Sequence, residues 1–349
     1  MDLGLSADQL EIQRAVRETC ARFGDTYWRE VDERLAYPDE FVRAMTEQGW
    51  LGMLIPERYG GGGEDQKQRY LPGIARGELR LQAFGVTEPD AGSDTTRIST
   101  TAARRGDVYV VNGQKVFTSR VENSDLMLLL ARTSPVPERV EDRTQGLSVF
   151  LVDLRDARGH FEYQRMDIMF NHHTYQCFFN ELEVPAQNLV GDEGRGFRYI
   201  IDGWNAERIL IASEAIGDGH WFVQRAARYA SGRELFGRQV GANQGVQFPI
   251  AQAYAQVEAA SLVRYQAAAL FDAGRPCGAQ ANMAKLLASQ ASWAAANACI
   301  TAHGGYGFAR EYDVERKFRE TKLFEIAPVS NNLVLAYLGQ RVLDMPRSY

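Results

Sequence analysis

Between Ser6 and about Leu79 apolar residues fall at helical spacing. Leu10, Ile12, Val16 and Phe23 follow one another roughly a turn apart, behind Ser6 and Gln9, whose separation makes a capping box. The glycines Gly60 to Gly63 interrupt this pattern, and Gln66 to Leu79 resumes it. From Gln82 to about Asn188 the chain changes to short runs rich in Val, Phe, Thr and Tyr. Residues 126–132 (LMLLLAR), 147–154 (LSVFLVDL) and 176–184 (QCFFNELEV) read as strands, and Asn112-Gly113 between VYVV and QKVF predicts a hairpin. Six or more such strands with tight turns imply a sandwich or barrel. From Gly196 onward alanine becomes dense, as in 251–271 and 281–300, and the apolar period returns to helical. Small residues let helices approach closely, so this part reads as long antiparallel helices in a bundle. The expected fold class is α+β: a helical N-terminal domain (1–81), a β-domain (82–195) and a helical bundle (196–349) in one compact unit.

Composition excludes several classes. The 349 residues are 45% hydrophobic and 24% charged, too apolar for disorder and without a Gly-X-Y period. Acidic residues exceed basic ones, 45 to 39, for a net charge of −6, which offers no basic footprint for nucleic acid. The N-terminus lacks the basic region of a signal peptide, and no apolar run reaches a membrane span. A cytoplasmic location follows as the expectation. Cys20, Cys177, Cys277 and Cys299 lie far apart with no metal-ligand spacing, so they read as reduced thiols and no metal is expected.

Two stretches carry candidate chemistry. Phe84-Gly85-Val86-Thr87-Glu88-Pro89-Asp90-Ala91-Gly92-Ser93-Asp94 lies on the first strand and the loop leaving it. Its glycines permit close backbone approach and its hydroxyls suit a polar planar ligand; alone, it also reads as an Asp-rich turn. Lys115-Val116-Phe117-Thr118-Ser119 sets an aromatic beside two hydroxyls, although Phe117 alone also reads as a core strand residue.

In this order, and followed by Phe179 to Pro185 (FNELEVP), Gly191 to Phe197 (GDEGRGF), Arg233 with Phe236-Gly237 and Gln244, and His303 to Phe308 (HGGYGF), the chain resembles the acyl-CoA dehydrogenase family from Ser6 to Tyr349. The resemblance implies a middle β-domain, a C-terminal four-helix bundle and bound FAD. It places Phe84, Val86, Thr87, Gly92, Ser93, Phe117, Thr118 and Ser119 at the flavin, with Val86 and Thr87 at the pyrimidine edge. Phe117 stands where a Trp is usual and Ser119 where a Thr faces N5. Arg233, Phe236 and Gln244 match contacts to the pyrophosphate and adenine half made from a neighbouring subunit; Gly304 and Gly305 permit close approach of the cofactor, and Thr301 stands where a Gln often contacts it. An Arg suits a diphosphate because its fork donates two charged, directed hydrogen bonds. At least a dimer, and by resemblance a tetramer, is implied.

Dehydrogenating a thioester needs a base for the α-proton while the β-hydrogen leaves as hydride. Most family members supply a Glu before a Gly-Thr pair; here Pro328 fills that position, before Val329-Ser330. Proline also lacks the N–H that would donate to the thioester carbonyl, leaving a ribityl hydroxyl of FAD and the N–H of Val329 as donors. A second family location, on the first helix of the bundle, matches Glu207, with Arg208 following it. Glu207 also reads as a helix N-terminal acid. Glu325 and Glu214 are poorer candidates, and Glu88 reads as structural. The implied substrate contacts are Ser93, Arg208, Pro328 and Val329.

Family members carry two further helices after the Gly-rich turn, where this chain has Glu64 alone between Gly63 and Asp65. Those helices wall the acyl site, so chain length is not legible. The implied activity is FAD-dependent conversion of an acyl-CoA to a trans-2-enoyl-CoA, with electrons passed to an electron-transferring flavoprotein. The alternatives are a flavin monooxygenase or oxidase on the same fold, and a non-catalytic flavin or acyl-CoA binding protein.

Overall fold

A computed structural model describes residues 5–52, 64–139, 142–157 and 159–347. The segment around Gly63, where two family helices are expected, lies outside the described residues. Those described group into two units: one from Glu11 to Ile201, the other formed by the residues up to Leu10 and from Asp202 onward.

The helix α1 (Ala7–Cys20) opens on the expected capping box, formed reciprocally: Ser6 N–H donates to Gln9 Oε1 at 3.0 Å and Gln9 N–H to Ser6 Oγ at 3.2 Å. Helices α2 (Asp25–Glu33), α3 (Asp39–Glu47) and α4 (Glu64–Ala75) follow. Tyr70 of α4 is buried against Leu126 and Leu151 of the sheet.

The sheet contains β1 (Leu81–Gly85), β2 (Thr101–Arg105), β3 (Val108–Ser119), β4 (Leu126–Arg132), β5 (Leu147–Asp153), β6 (Phe161–Arg165), β7 (Thr174–Pro185) and β8 (Leu189–Val190). Its strands pair in the order β6-β7-β3-β2-β4-β5-β8, with β1 also on β4. The pairings of β1 and β2 with β4 are parallel and the others antiparallel. Met127, Leu129, Phe150, Val152, Tyr109, Tyr175 and Phe179 fill the core on one face. Each such side chain adds ~1.5–3 kcal/mol by leaving water.

The hairpin expected at Asn112-Gly113 does not form there. Both residues lie inside β3, which runs unbroken from Val108 to Ser119, and the chain reverses instead around Gly106, between β2 and β3. Asn-Gly serves as an irregularity in the ladder to β7: the register shifts between Val111 and Gly113, and Asn112 Oδ1 accepts the Glu181 N–H at 2.8 Å. Glycine is required because its φ is +148° and a Cβ there would sit 2.7 Å from the Thr100 Cα.

The second unit takes α5 (Gly196–Gly232) from Asp202 onward; with α6 (Gln244–Asp272) and α7 (Gly278–His303) it supplies the long helices, and the short β9 (Glu234–Leu235) and β10 (Arg238–Gln239) lie between α5 and α6. Three short helices follow, α8 (Val314–Thr321), α9 (Leu323–Ile326) and α10 (Asn331–Tyr337). As the alanine pattern implies, Ala253, Ala260 and Ala267 of α6 and Ala281, Ala284, Ala288 and Ala291 of α7 are buried. Gly219 of α5 lies so close to α6 that a Cβ there would meet Val257 Cγ2 at 2.6 Å.

Gly113→Ala is expected to destabilise the protein by at least ~1–3 kcal/mol, since overpacking adds to the strained φ. Urea denaturation with an unchanged midpoint would refute this account of β3.

Candidate active site

The loop after β1 is held by a buried ion pair. Lys115, in the middle of β3, is fully buried and donates to Glu88 Oε1 at 2.8 Å and to the Val86 carbonyl at 3.0 Å. Glu88 also accepts the Ser99 N–H and hydroxyl at 2.6 and 2.9 Å and the Thr100 N–H at 2.9 Å. The Val116 N–H donates to the Thr87 carbonyl at 2.8 Å, completing the clamp between the two stretches singled out in the sequence. Burial alone would raise the Glu88 carboxyl, but Lys115 and the donors from Ser99 and Thr100 outweigh it and hold it below its ordinary value. Burial pulls Lys115 down to about 8, against the attraction of Glu88. Glu88 is therefore structural, as expected. The part of Lys115 was missed; a lone lysine in an apolar strand, beside an acidic loop, was the available signal.

Past Lys115 the pairing of β3 with β7 slips, and Phe117 takes φ +55°. This bulge turns the Phe117 ring outward, leaving it 61% exposed rather than in the core. Thr118 is fully buried beside Cys177 and offers no exposed surface in this structure. The Ser119 hydroxyl lies 2.9 Å from His172 Nε2. Phe84, Val86 and Thr87 are half-buried, and Gly92 and Ser93 exposed.

The remaining residues matched to the cofactor lie in the other unit. Phe236 and Gly237, with φ of +53° and +75°, form the tight turn between β9 and β10, and the Phe236 ring is wholly exposed at its tip. Arg233, just before β9, sits with its guanidinium 5.7 Å from the Tyr306 ring centre. The structure thus brings the end of α5 and the turn after α7 together. His303 anchors that turn: it stacks on Tyr229 at 4.0 Å and donates from Nδ1 to the Cys299 carbonyl at 2.8 Å. Gly304 and Gly305 are exposed, with nothing within 4 Å of where a Cβ would stand. Thr301 and Gln244 are exposed as well, Gln244 as the first residue of α6.

Both family positions for the base, Glu207 and Pro328, lie in this unit. Trp204, three residues before Glu207 on α5, packs into the cluster of Val329, Val334 and Leu286, next to Pro328. Glu207 is half-buried, and burial raises its carboxyl above the ordinary value despite the opposing charge of Arg208. Arg208 is buried, donates to Asn205 Oδ1 at 3.4 Å, and has no hydrogen-bond partner for Nε among the described residues. The loop around Pro328 is fastened by Lys285, a fully buried residue of α7 that donates to the Val329 carbonyl at 2.6 Å and to Asn331 Oδ1 at 2.9 Å. Glu325 is ion-paired with Lys322, and Glu214 lies exposed further along α5. No group of three or more potential metal ligands occurs among the described residues.

Comparison with known families matches the acyl-CoA dehydrogenase N-terminal domain to residues 6–65, the middle domain to 83–179 and the C-terminal domain to 194–343. The chain belongs to the acyl-CoA dehydrogenase family. It is 33% identical to the acyl-CoA dehydrogenase FadE12 of Mycobacterium tuberculosis, over 99% of this chain and 98% of that one. The alignment runs over 389 positions against 349 residues here, so FadE12 carries residues with no counterpart in this chain. The caffeyl-CoA reductase–Etf complex subunit CarC of Acetobacterium woodii is 30% identical, over 85% of this chain and 88% of its own. Among solved structures, a glutaryl-coenzyme A dehydrogenase in complex with glutaryl-CoA superposes with a TM-score of 0.92 at 28% identity, covering 100% of this chain and 98% of that one. This family member is thus an oxidoreductase, with the helical, β-sheet and helical parts of an acyl-CoA dehydrogenase.

Lys115→Met in this dehydrogenase is expected to cost ~3–5 kcal/mol, because it strands the Glu88 carboxylate in the interior. The double variant Glu88→Gln/Lys115→Met should be more stable than Lys115→Met alone. Chemical denaturation ranking the two the other way would refute the clamp.

Proposed function

We propose that this dehydrogenase converts an acyl-CoA to the trans-2-enoyl-CoA with Glu207 as base, using FAD and passing electrons to an electron-transferring flavoprotein. The observation carrying this reading is the state of Glu207. Its carboxyl is raised by burial, as suits a base for a weakly acidic α-proton, and it lies on the helix whose Trp204 packs beside the Pro328 loop. Glu325, the rival nearest Pro328 in sequence, is engaged by Lys322.

The residues present fit a flavin. Phe117 offers an exposed aromatic face held by a bulge, Gly92 has only Thr87 Cγ2, at 3.9 Å, near a built Cβ, and Gly304 and Gly305 leave open space for close approach. Bound FAD would supply the hydride acceptor. Val86, Thr87, Phe117 and Ser119 would orient its ring, with Phe84, Gly92 and Ser93 beside them and Thr118 behind them in β3. Arg233, Phe236, Gln244, Thr301, Gly304 and Gly305 would hold the pyrophosphate and adenine half of a cofactor bound by a second copy, so the working form is a dimer or tetramer. The exposure of Arg233 and Phe236 supports that assignment.

Glu207 takes the α-proton at its carboxylate. Arg208 beside it limits how far burial raises that carboxyl and presents a buried Nε to the substrate. Pro328 gives the thioester carbonyl no N–H, and Lys285 holds the Val329 carbonyl in place. The substrate would meet Ser93, Arg208, Pro328 and Val329. We assign the segments 1–81, 82–195 and 196–349 as the three working domains. The Etf complex named for the CarC relative supports the choice of electron acceptor. No described helix is long and apolar enough to cross a membrane. We propose a cytoplasmic location, which four free thiols, three of them buried, suit.

Glu207→Gln should keep FAD but slow anaerobic flavin bleaching by acyl-CoA ~10²–10⁴-fold. Because the base works ionised, the parent's bleaching rate should rise with pH through a value above 4.5, and that acid limb should vanish in the variant. Bleaching at the parent's rate in Glu207→Gln would reject the assignment. FAD is expected to copurify, and Arg233→Ala to weaken both its retention and oligomerisation. Full FAD occupancy in that variant would dismiss the inter-subunit role.

A further inference from the structure

His172 lies in the loop before β7 and belongs to no stretch singled out in the sequence. Its Nε2 is 2.9 Å from the Ser119 hydroxyl, and its ring stands 5.7 Å from that of Phe170. The backbone around the contact is fixed on every side. Ser119 pairs with Thr174 across β3 and β7, and the Arg120 N–H donates to the His173 carbonyl at 2.7 Å. Asn171 donates to the carbonyls of Val31 and Ala36 at 3.2 and 3.0 Å, and His173 Nε2 to that of Leu35 at 2.9 Å. His172 therefore meets Ser119 from a loop whose backbone is held on both sides of it.

The imidazole is neutral at physiological pH, since burial first, and then the charges of Arg120 and His173, bring it down to about 4. A neutral ring carries one proton. With the proton on Nδ1, Nε2 accepts the Ser119 proton and the hydroxyl can only accept from a ligand. With the proton on Nε2, the ring donates to Ser119 Oγ and the hydroxyl proton is left to point elsewhere. The ring nitrogen of an oxidised flavin at the position Ser119 matches bears a lone pair and needs a donor.

We propose that His172 is a positioning residue which donates from Nε2 to Ser119 Oγ and so directs the Ser119 hydroxyl proton to the flavin ring. This rests on the reading above that Ser119 faces that ring. His172 itself touches neither substrate nor cofactor; it acts through one hydroxyl. The loop sequence Asn171-His172-His173 is thereby a functional element, and its two histidines have separate work: His173 ties the loop to the Leu35 carbonyl, and His172 addresses the site.

The test is a double-variant cycle on the FAD-loaded protein, read by the visible flavin absorption bands, the flavin midpoint potential and the anaerobic bleaching rate, with thermal melting as a check on folding. His172→Asn keeps a polar side chain too short to reach Ser119, His172→Gln can place an amide N–H near the position of Nε2, and His172→Leu is a second loss variant should the asparagine protein fail to fold. Expected are shifted bands and an altered potential in His172→Asn, with bleaching slowed about tenfold, as the loss of one hydrogen bond allows. The same changes should appear in Ser119→Ala, nothing further in the double variant, and a return toward the parent in His172→Gln. Parent bands and potential in both loss variants would overturn the proposal, and so would a His172 effect of equal size in the Ser119→Ala background. If Ser119→Ala leaves bands and potential unchanged, the placement of Ser119 at the flavin falls together with the role of His172; if only the His172 variants are silent, that placement stands.

Discussion

The buried pair of Lys115 and Glu88 is the interaction on which the sheet side of the site depends. Two charges in an interior are costly, and the cost is offset here because Glu88 accepts from two backbone N–H groups and a hydroxyl besides Lys115, while Lys115 also reaches the Val86 carbonyl. A hydrophobic pair of similar size would bury as well and satisfy none of these partners. The ionic pair fixes the loop leaving β1 against β3 in a single register, and that register sets where Thr87, Gly92 and Ser93 stand relative to Phe117 and Ser119. Placement of the polar groups, rather than added stability, is what the pair contributes.

Much of the fold was legible because period decides it. Residues 126–132 and 147–153 are strands as the apolar runs indicate, since an almost continuous apolar stretch of that length fits a strand buried on both faces. The alanine-rich stretches are the buried faces of α6 and α7 for a similar reason: few other residues permit that approach. The Asn-Gly error shows where local rules stop. The dipeptide favours positive φ in either setting, and only the distant strand β7, pairing along the whole of β3, decides between a turn and a bulge. Phe117 was ambiguous for the same reason, because one bulge exchanges the core face for the solvent face.

The site was legible in its residue types and opaque in its supports. Glu207 and Arg208, singled out by the family resemblance, stand half-buried and buried on the first bundle helix, yet nothing in the sequence ties Lys285 to Val329, 44 positions later. Long-range hydrogen bonds to backbone carbonyls leave no side-chain pattern to read. The same holds for His172, whose partner Ser119 lies 53 positions earlier. That support matters most beside Pro328, where the chain has neither the usual carboxylate nor an N–H, and where the loop is held by a lysine buried in α7 rather than by its own turn.

Around Ser119 three residues other than glycine take left-handed backbone conformations: Phe117 at φ +55°, Arg120 at +53° and His173 at +40°. Each costs of order 1 kcal/mol or more, and all three flank the contact between β3 and the loop before β7. Strand pairing and the Arg120 N–H bond to the His173 carbonyl hold these conformations, so the corner is ordered before anything binds. Substitutions that ease these conformations would raise the stability of the protein while loosening the order they impose, so thermal stability and local rigidity at this corner of the sheet vary in opposite directions.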